Sequence, residues 1–344
     1  MSDSTVVGSE DDTTRMIAEL YQAIIGREPR QGELAMAQRL CGTGAERQLI
    51  LKLLDSPEHK ARVRVPSPFP NGHFYSPVVD PSEVERYWET SSAHRWNEIS
   101  GVALDLPAME RFWRTNLEMA RSAPFTQRPG ETTRYHWGEG PYPRGDAVVL
   151  LVMIGTARPR RIIEIGSGFS SAAMLDAAEH FALTELQLTC IDPNAARLRR
   201  LLRPQDEQRV EVLEQQVQNV PLERFRELGA NDILFIDSSH VLKTGSDLHY
   251  ELFSILPTLN EGVLVHFHDI FDSFEYPREW IVKKRRSWNE VYALHAFLAF
   301  NRAFEVVFFT NMFAKERPEL FQSGFGEAGR VSGGSIWLRR RAAG

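Results

Sequence analysis

The stretch Arg161-Ile-Ile-Glu-Ile-Gly-Ser-Gly-Phe-Ser-Ser171 decides the fold of this chain. Ile162, Ile163 and Ile165 read as a buried strand and Gly166-Ser-Gly168 as a tight turn. The run from about Ser170 through Ala172, Ala173, Met174 and Leu175 reads as a helix. A strand, a glycine turn and a helix in that order bring backbone N–H groups and a helix N-terminus up to a ligand. Gly166 and Gly168 permit close backbone approach or a positive φ that a Cβ would penalise. Glu164 is unusual inside a purely structural strand and could hold a cationic ligand group directly or through water.

A dinucleotide fingerprint wants G-x-G-x-x-G, but Ser171 stands where its third glycine would be. The next apolar run, Leu186–Ile191, ends in Asp192, placed to accept hydrogen bonds from ribose hydroxyls. An acid before the first glycine and an acid after the second strand resemble the S-adenosylmethionine site of class I methyltransferases. That family commonly reads E/D-x-G-x-G-x-S in its first motif, as Glu164 to Ser170 does. The resemblance implies cofactor-binding roles for Glu164, Gly166, Ser167, Gly168, Ser170 and Asp192. It adds Asp237 beside them and Gln216, after the third strand, near the adenine.

From Asp146 a helix at 147–156 leads into strands at 161–165, 186–191, 210–213, 232–236 and 262–267. These alternate with helical segments and are almost continuously apolar, as in a parallel sheet covered on both faces. Two further strands, Phe304–Phe309 and Ser335–Leu338, lack an obvious intervening helix and fit an antiparallel hairpin. The expected fold is therefore α/β over residues 146–344, a Rossmann-like seven-stranded sheet with helices on both faces. It resembles the class I methyltransferase sheet.

Ligands sit beyond the carboxyl ends of strands in open α/β sheets. Strand four ends in Phe235-Ile-Asp237-Ser-Ser-His240 and strand five in Val265-His266-Phe-His268-Asp269. Such polar clusters are costly to bury unless paired or used. Asp237-x-x-His240 followed by His268-Asp269 resembles the methyltransferase 24 family, near the sugar and macrolide O-methyltransferases. Many relatives read D-x-D-H, where this chain has Ser239 at the third position. Some related enzymes bind Mg²⁺ at these two strand ends. The resemblance thus implies Asp237 and Asp269 as metal ligands, with His268 as ligand or neighbour, for Mg²⁺, Mn²⁺ or Fe²⁺. Without a metal, His268 or His240 is the candidate general base, with Asp237 in the same catalytic group. Alternation turns His266 to the side of His268 but deeper in the sheet. Trp280 and Trp288, in the aromatic and charged segment after strand five, read as packing or as acceptor-pocket walls.

Upstream, residues 1–12 are polar and acidic and expected to be disordered. Residues 13–62 carry three short amphipathic helices, the first marked by Met16, Ile17, Leu20, Tyr21, Ile24 and Ile25. The stretches Tyr21-Gln-Ala-Ile-Ile-Gly-Arg-Glu-Pro29 and Leu54-Asp-Ser-Pro-Glu-His59 resemble the small helical domain DUF4214, attached in bacteria to secreted and glycan-modifying proteins. The resemblance implies an interaction or oligomerisation element. Residues 63–145 combine a proline-rich linker and helices anchored by Val84, Trp88, Trp96, Ile99 and Trp113. They end in an aromatic loop, Pro124–Gly145, that reads as a cover for the active site or a surface connector.

The 344 residues leave room for one large domain or two. A hydrophobic fraction of 42% and charged fraction of 25% are those of a soluble globular protein, and a net charge of −6 gives no reason to expect nucleic acid. The basic run Arg197–Arg203 reads as a solvated helix face. Two cysteines make neither a disulfide framework nor a zinc site. No apolar run spans a membrane and the acidic start is no signal peptide, so a cytoplasmic protein is expected. The leading expectation is an S-adenosylmethionine-dependent methyltransferase acting on a small-molecule hydroxyl of a sugar or natural product. Non-methylating use of the same cofactor, a scaffold built on the helical module, and an NAD oxidoreductase are the other readings. Ser171 and Glu164 weigh against the last.

Overall fold

A computed structural model describes residues 10–62, 69–90, 99, 101–130, 132–138, 142–326 and 331–342. The chain divides into two compact units, Met1–Asp80 and Pro81–Gly344.

The first unit is helical: α1 (Glu10–Ile24), α2 (Gln31–Cys41), α3 (Glu46–Asp55) and α4 (Pro57–Arg62). Residues spaced three and four apart form its core, with Ile17, Tyr21, Ile25, Ala37, Leu49 and Leu53 buried. The Arg27 guanidinium donates to both Glu33 carboxylate oxygens at 2.8 Å and to Glu58 at 3.1 Å, tying the α1–α2 turn to α4. Helix α1 begins at Glu10, so the acidic residues 10–12 belong to it rather than to a disordered tail; residues 1–9 lie outside the described residues. Acids in the first turn of a helix complement its dipole, which is why the helix extends into them.

The second unit opens with α5 (Pro81–Thr90), α6 (Leu106–Thr115), α7 (Leu117–Arg121) and α8 (Arg144–Ala157). Trp96 lies outside the described residues. Its sheet comprises β1 (Arg161–Ile165), β2 (Gln187–Ile191), β3 (Val210–Leu213), β4 (Ile233–Ile236), β5 (Leu264–His268), β6 (Phe304–Phe309) and β7 (Ser335–Arg340). Helix α9 (Phe169–His180) joins β1 to β2, and α10 (Ala196–Leu201) follows β2. The strand order is β3-β2-β1-β4-β5-β7-β6. Strands β1 to β5 are parallel, and β7 runs antiparallel to both β5 and β6. The chain reverses its direction of travel across the sheet between β1 and β4, which opens a crevice there.

The expected hairpin of the last two strands differs in its connection. Strands β6 and β7 are adjacent and antiparallel, but the helices Thr310–Glu316 and Pro318–Gln322 stand between them. Each is too short to show a helical period, and each is held by burial: Met312, Phe313 and Phe321 join the core, and the Trp113 indole donates to the Leu320 carbonyl at 3.0 Å.

The loop before α8 is ordered by a buried charge. The Arg134 guanidinium donates to both Asp206 oxygens at 2.7 and 2.8 Å, to Asp176 at 2.8 Å and to Glu179 at 2.6 Å. Asp176 also accepts the backbone N–H groups of Arg134 and Tyr135. The Tyr135 hydroxyl in turn donates to the Tyr142 carbonyl at 2.9 Å. This chain of contacts fixes Tyr142 at the end of the loop.

Candidate active site

Gly166 and Gly168 adopt φ values of 80° and 154°. A Cβ on Gly166 would meet the Asp237 carbonyl oxygen at 2.0 Å, so the turn closes against β4 only because no side chain intervenes. Ser167 caps the approach of β2: its N–H and hydroxyl donate to one Asp192 carboxylate oxygen at 3.0 and 2.8 Å. The other Asp192 oxygen accepts the Asn194 N–H at 2.8 Å. Asp192 thus has a fixed orientation at the crevice rim.

Glu164 has a different setting. It is fully buried, aligned with Cys190 of β2, and accepts hydrogen bonds from the Ser170 hydroxyl at 2.5 Å, the Ser171 hydroxyl and the Cys190 thiol. The Ser171 hydroxyl also accepts the Gly168 N–H at 3.0 Å. The serine that replaces the third glycine of a dinucleotide motif therefore locks the turn through Glu164. Burial pushes the Glu164 carboxyl up to about 7, against the pull of its hydroxyl donors.

Two cavities open on this turn. The larger, of about 560 Å³, is lined by Gly166, Ser167, Asp192, Gln216 and Asp237 among others. The smaller, of about 130 Å³, is lined by Tyr142, Phe169, Ser170, Asp237, His268 and Asp269, together with Ser167 and Arg197. Ser167, Arg197 and Asp237 border both. Of the site residues singled out from sequence, Glu164, Gly168 and His240 line neither cavity: the first two shape the turn, and His240 stands behind Asp237 and Asp269.

The strand-four and strand-five ends converge on one another. His240 and Asp269 both hold left-handed backbone conformations, φ 60° and 55°, a local strain that surrounding contacts must sustain. His240 Nδ1 lies 2.7 Å from a Glu290 oxygen, and its Nε2 faces Asp237 at 3.6 Å and Asp269 at 3.8 Å. Burial disfavours the charged ring, but Glu290, Asp237 and Asp269 outweigh it and raise His240 to about 9. His268 Nε2 lies 3.5 Å from Asp269, its ring packs on Tyr142, and among the described residues Nδ1 has no hydrogen-bond partner. Burial alone would lower its pKa; Asp269, Asp237 and Asp146 raise it instead. His266 is a core residue, stacked on Phe235 at 3.9 Å and driven neutral by burial.

Asp237, His268 and Asp269, the candidate metal ligands, line one cavity. Among the described residues, however, no three His, Cys, Asp or Glu side chains group to hold a metal ion. The group facing both aspartates here is the His240 ring.

Sequence reading did not pair His240 with Glu290, which opens the helix Glu290–Leu298 fifty residues away. An acid in a first helical turn reads as a dipole partner, so nothing local marks it. Glu251, buried in a π turn with the Ser238 hydroxyl 3.2 Å away, was equally silent. Trp280 and Trp288 meet edge to face at 5.6 Å, the Arg286 guanidinium lies 4.3 and 4.1 Å from their ring centres, and Trp288 backs the His240 ring at 4.2 Å. Trp288 thus walls the histidine from behind, with Trp280 one ring further away.

A family model described as a methyltransferase domain matches residues 163–270, the span from β1 through the end of β5. An uncharacterised protein of Archaeoglobus fulgidus is 34% identical over 173 residues, 48% of this chain and 76% of that protein. Among solved structures, the O-methyltransferase TomG from Streptomyces achromogenes, in complex with SAM, is 14% identical with a TM-score of 0.38, over 76% of this chain and 96% of that one. The SAH-bound methyltransferase PaMTH1 of Podospora anserina is 13% identical with a TM-score of 0.37, over 80% of this chain and all (100%) of that one. On the family match and the relative that shares its sequence, the chain belongs to the methyltransferase-domain family.

Proposed function

We propose that this methyltransferase acts on a hydroxyl of a small molecule, a sugar or natural product, with His240 as the base that receives the hydroxyl proton. The observation that carries the reading is the pair of cavities sharing Ser167, Arg197 and Asp237. A volume of about 560 Å³ suits a nucleoside-sized ligand, and the adjoining 130 Å³ suits one hydroxyl-bearing group. S-adenosylmethionine supplies an electrophilic methyl group on a positively charged sulfur. The protein's part is to align donor and acceptor and to take a proton.

His240 has the geometry of an oriented base: one ring nitrogen is held by Glu290 and the other faces the acids that line the smaller cavity. A pKa of about 9 leaves it mostly protonated at neutral pH. A cationic cofactor beside Asp237 would offset that carboxylate's field and lower the histidine towards neutrality, coupling base strength to cofactor binding. A second reading makes His268 the base, favoured by its direct place in the smaller cavity wall. The variants His240→Gln and His268→Gln separate them. The base variant loses turnover by about 10²-fold or more and the rising limb of its pH–rate profile, while cofactor affinity stays near wild type.

The cofactor assignment is tested by calorimetric titration of S-adenosylmethionine and its demethylated product, with NAD as control. Binding of the adenosyl pair and not of NAD is expected. Asp192→Ala should weaken that binding at least tenfold; unchanged affinity removes Asp192 from the site. Dialysis against a chelator should leave both affinity and turnover intact. Turnover lost on chelation and restored by Mg²⁺ would instead place a cation between Asp237 and Asp269. The helical first unit, in this reading, serves contacts with a second copy or a partner protein. Among the described residues no helix is long and apolar enough to cross a membrane.

A further inference from the structure

Arg197 is exposed, as expected of its basic run, but its place sets it apart from that run. Its neighbour Arg199 pairs on the surface with Glu214 at 2.9 Å. Arg197 instead lays its side chain over the glycine turn, where a Cβ on Gly168 would come within 2.9 Å of its Cδ. It borders both cavities, and among the described residues it has no hydrogen bond or ion pair. Asp237, the one acid that like Arg197 borders both cavities, faces His240 at 3.6 Å. A guanidinium with its donors uncommitted at a cavity wall matches the two coplanar oxygens of a carboxylate.

We infer that Arg197 is an anion subsite at the junction of the two cavities, binding a carboxylate. The inference rests on the methyl-transfer reading above. The adjacent opposite charges of Arg197 and Asp237 suit an amino-acid zwitterion, which favours the amino-acid end of the cofactor. A carboxylate on the acceptor is the other source of the same chemistry.

The test uses the full chain and the variants Arg197→Gln and Arg197→Lys. S-adenosylhomocysteine and 5′-methylthioadenosine, which lacks the amino-acid end, are titrated into each. With the cofactor as the source, Arg197→Gln loses at least tenfold in affinity for S-adenosylhomocysteine, about 1.4 kcal/mol, and nothing for 5′-methylthioadenosine. Arg197→Lys retains most of the affinity. With the acceptor as the source, both nucleoside affinities are unchanged, and KM rises for hydroxyl acceptors bearing a carboxylate but not for their methyl esters. Equal losses for the two nucleosides would overturn the subsite, showing that Arg197 merely braces the Gly168 turn. Wild-type behaviour of both variants towards every ligand would overturn it too. If the wild-type protein itself bound neither nucleoside, the cofactor reading beneath the inference would fall.

Discussion

At the scale of single residues, the site depends on groups whose ordinary chemistry is altered by burial. His240 is held near 9 by three carboxylates despite a nearly dry setting. A folded-state pKa above the unfolded value near 6.5 contributes stability that is fully present below pH 6.5 and is lost as pH rises through about 9. The shift corresponds to about 3 kcal/mol. Wild-type melting temperature should therefore fall between pH 6.5 and 9.5, and His240→Gln should flatten that fall; parallel curves would mean that His240 is not charged in the fold. Gly166 makes the converse point, because what matters there is an absent atom. Gly166→Ala sets a methyl 2.0 Å from the Asp237 carbonyl at a φ of 80°. It should cost about 2–4 kcal/mol in denaturant titration and abolish cofactor binding. Both glycines and Asp192 were legible from spacing alone. The part played by Glu164 was not, since its three donors come from two elements that meet only in the fold.

At the scale of elements, the β1 turn and helix α9 form one unit whose serines answer a buried acid, and the loop before α8 is its outer counterpart. Arg134 carries that loop. It satisfies Asp176 and Glu179 of α9 and Asp206 before β3, so it couples the loop to the elements that frame the crevice. Removing one partner of a buried ion network leaves the others uncompensated, a cost of about 3–5 kcal/mol. Arg134→Ala should lower stability by that amount and raise KM for the acceptor, because Tyr142 loses its anchor through Tyr135. S-adenosylmethionine affinity should hold. An unchanged acceptor KM would make the loop a connector and not a wall. The aromatic content of the loop announced order, but the arginine that orders it reads in sequence as one more charged residue, its partners lying 42 to 72 positions away.

At the scale of the whole molecule, two units have separate cores, one around Ile17, Tyr21 and Leu49 and one around the sheet. Deleting residues 1–80 should leave the second unit folded and able to bind S-adenosylmethionine, checked by thermal melting with and without the cofactor; loss of both would show that the units depend on each other. Sequence by itself determined the strand–turn–helix, the succession of parallel strands, the helical first unit and the polar ends of β4 and β5. These follow from local periodicity and glycine placement, which act over a few residues. Only the tertiary structure decided which polar groups face a cavity and which are spent inside. It buried Glu164 beneath its serines, joined His240 to Glu290 and turned Arg197 onto the glycine turn. It also set helices between β6 and β7. The physical reason is that hydrogen-bond partners and burial are set by packing between distant segments, and packing leaves no period in the chain.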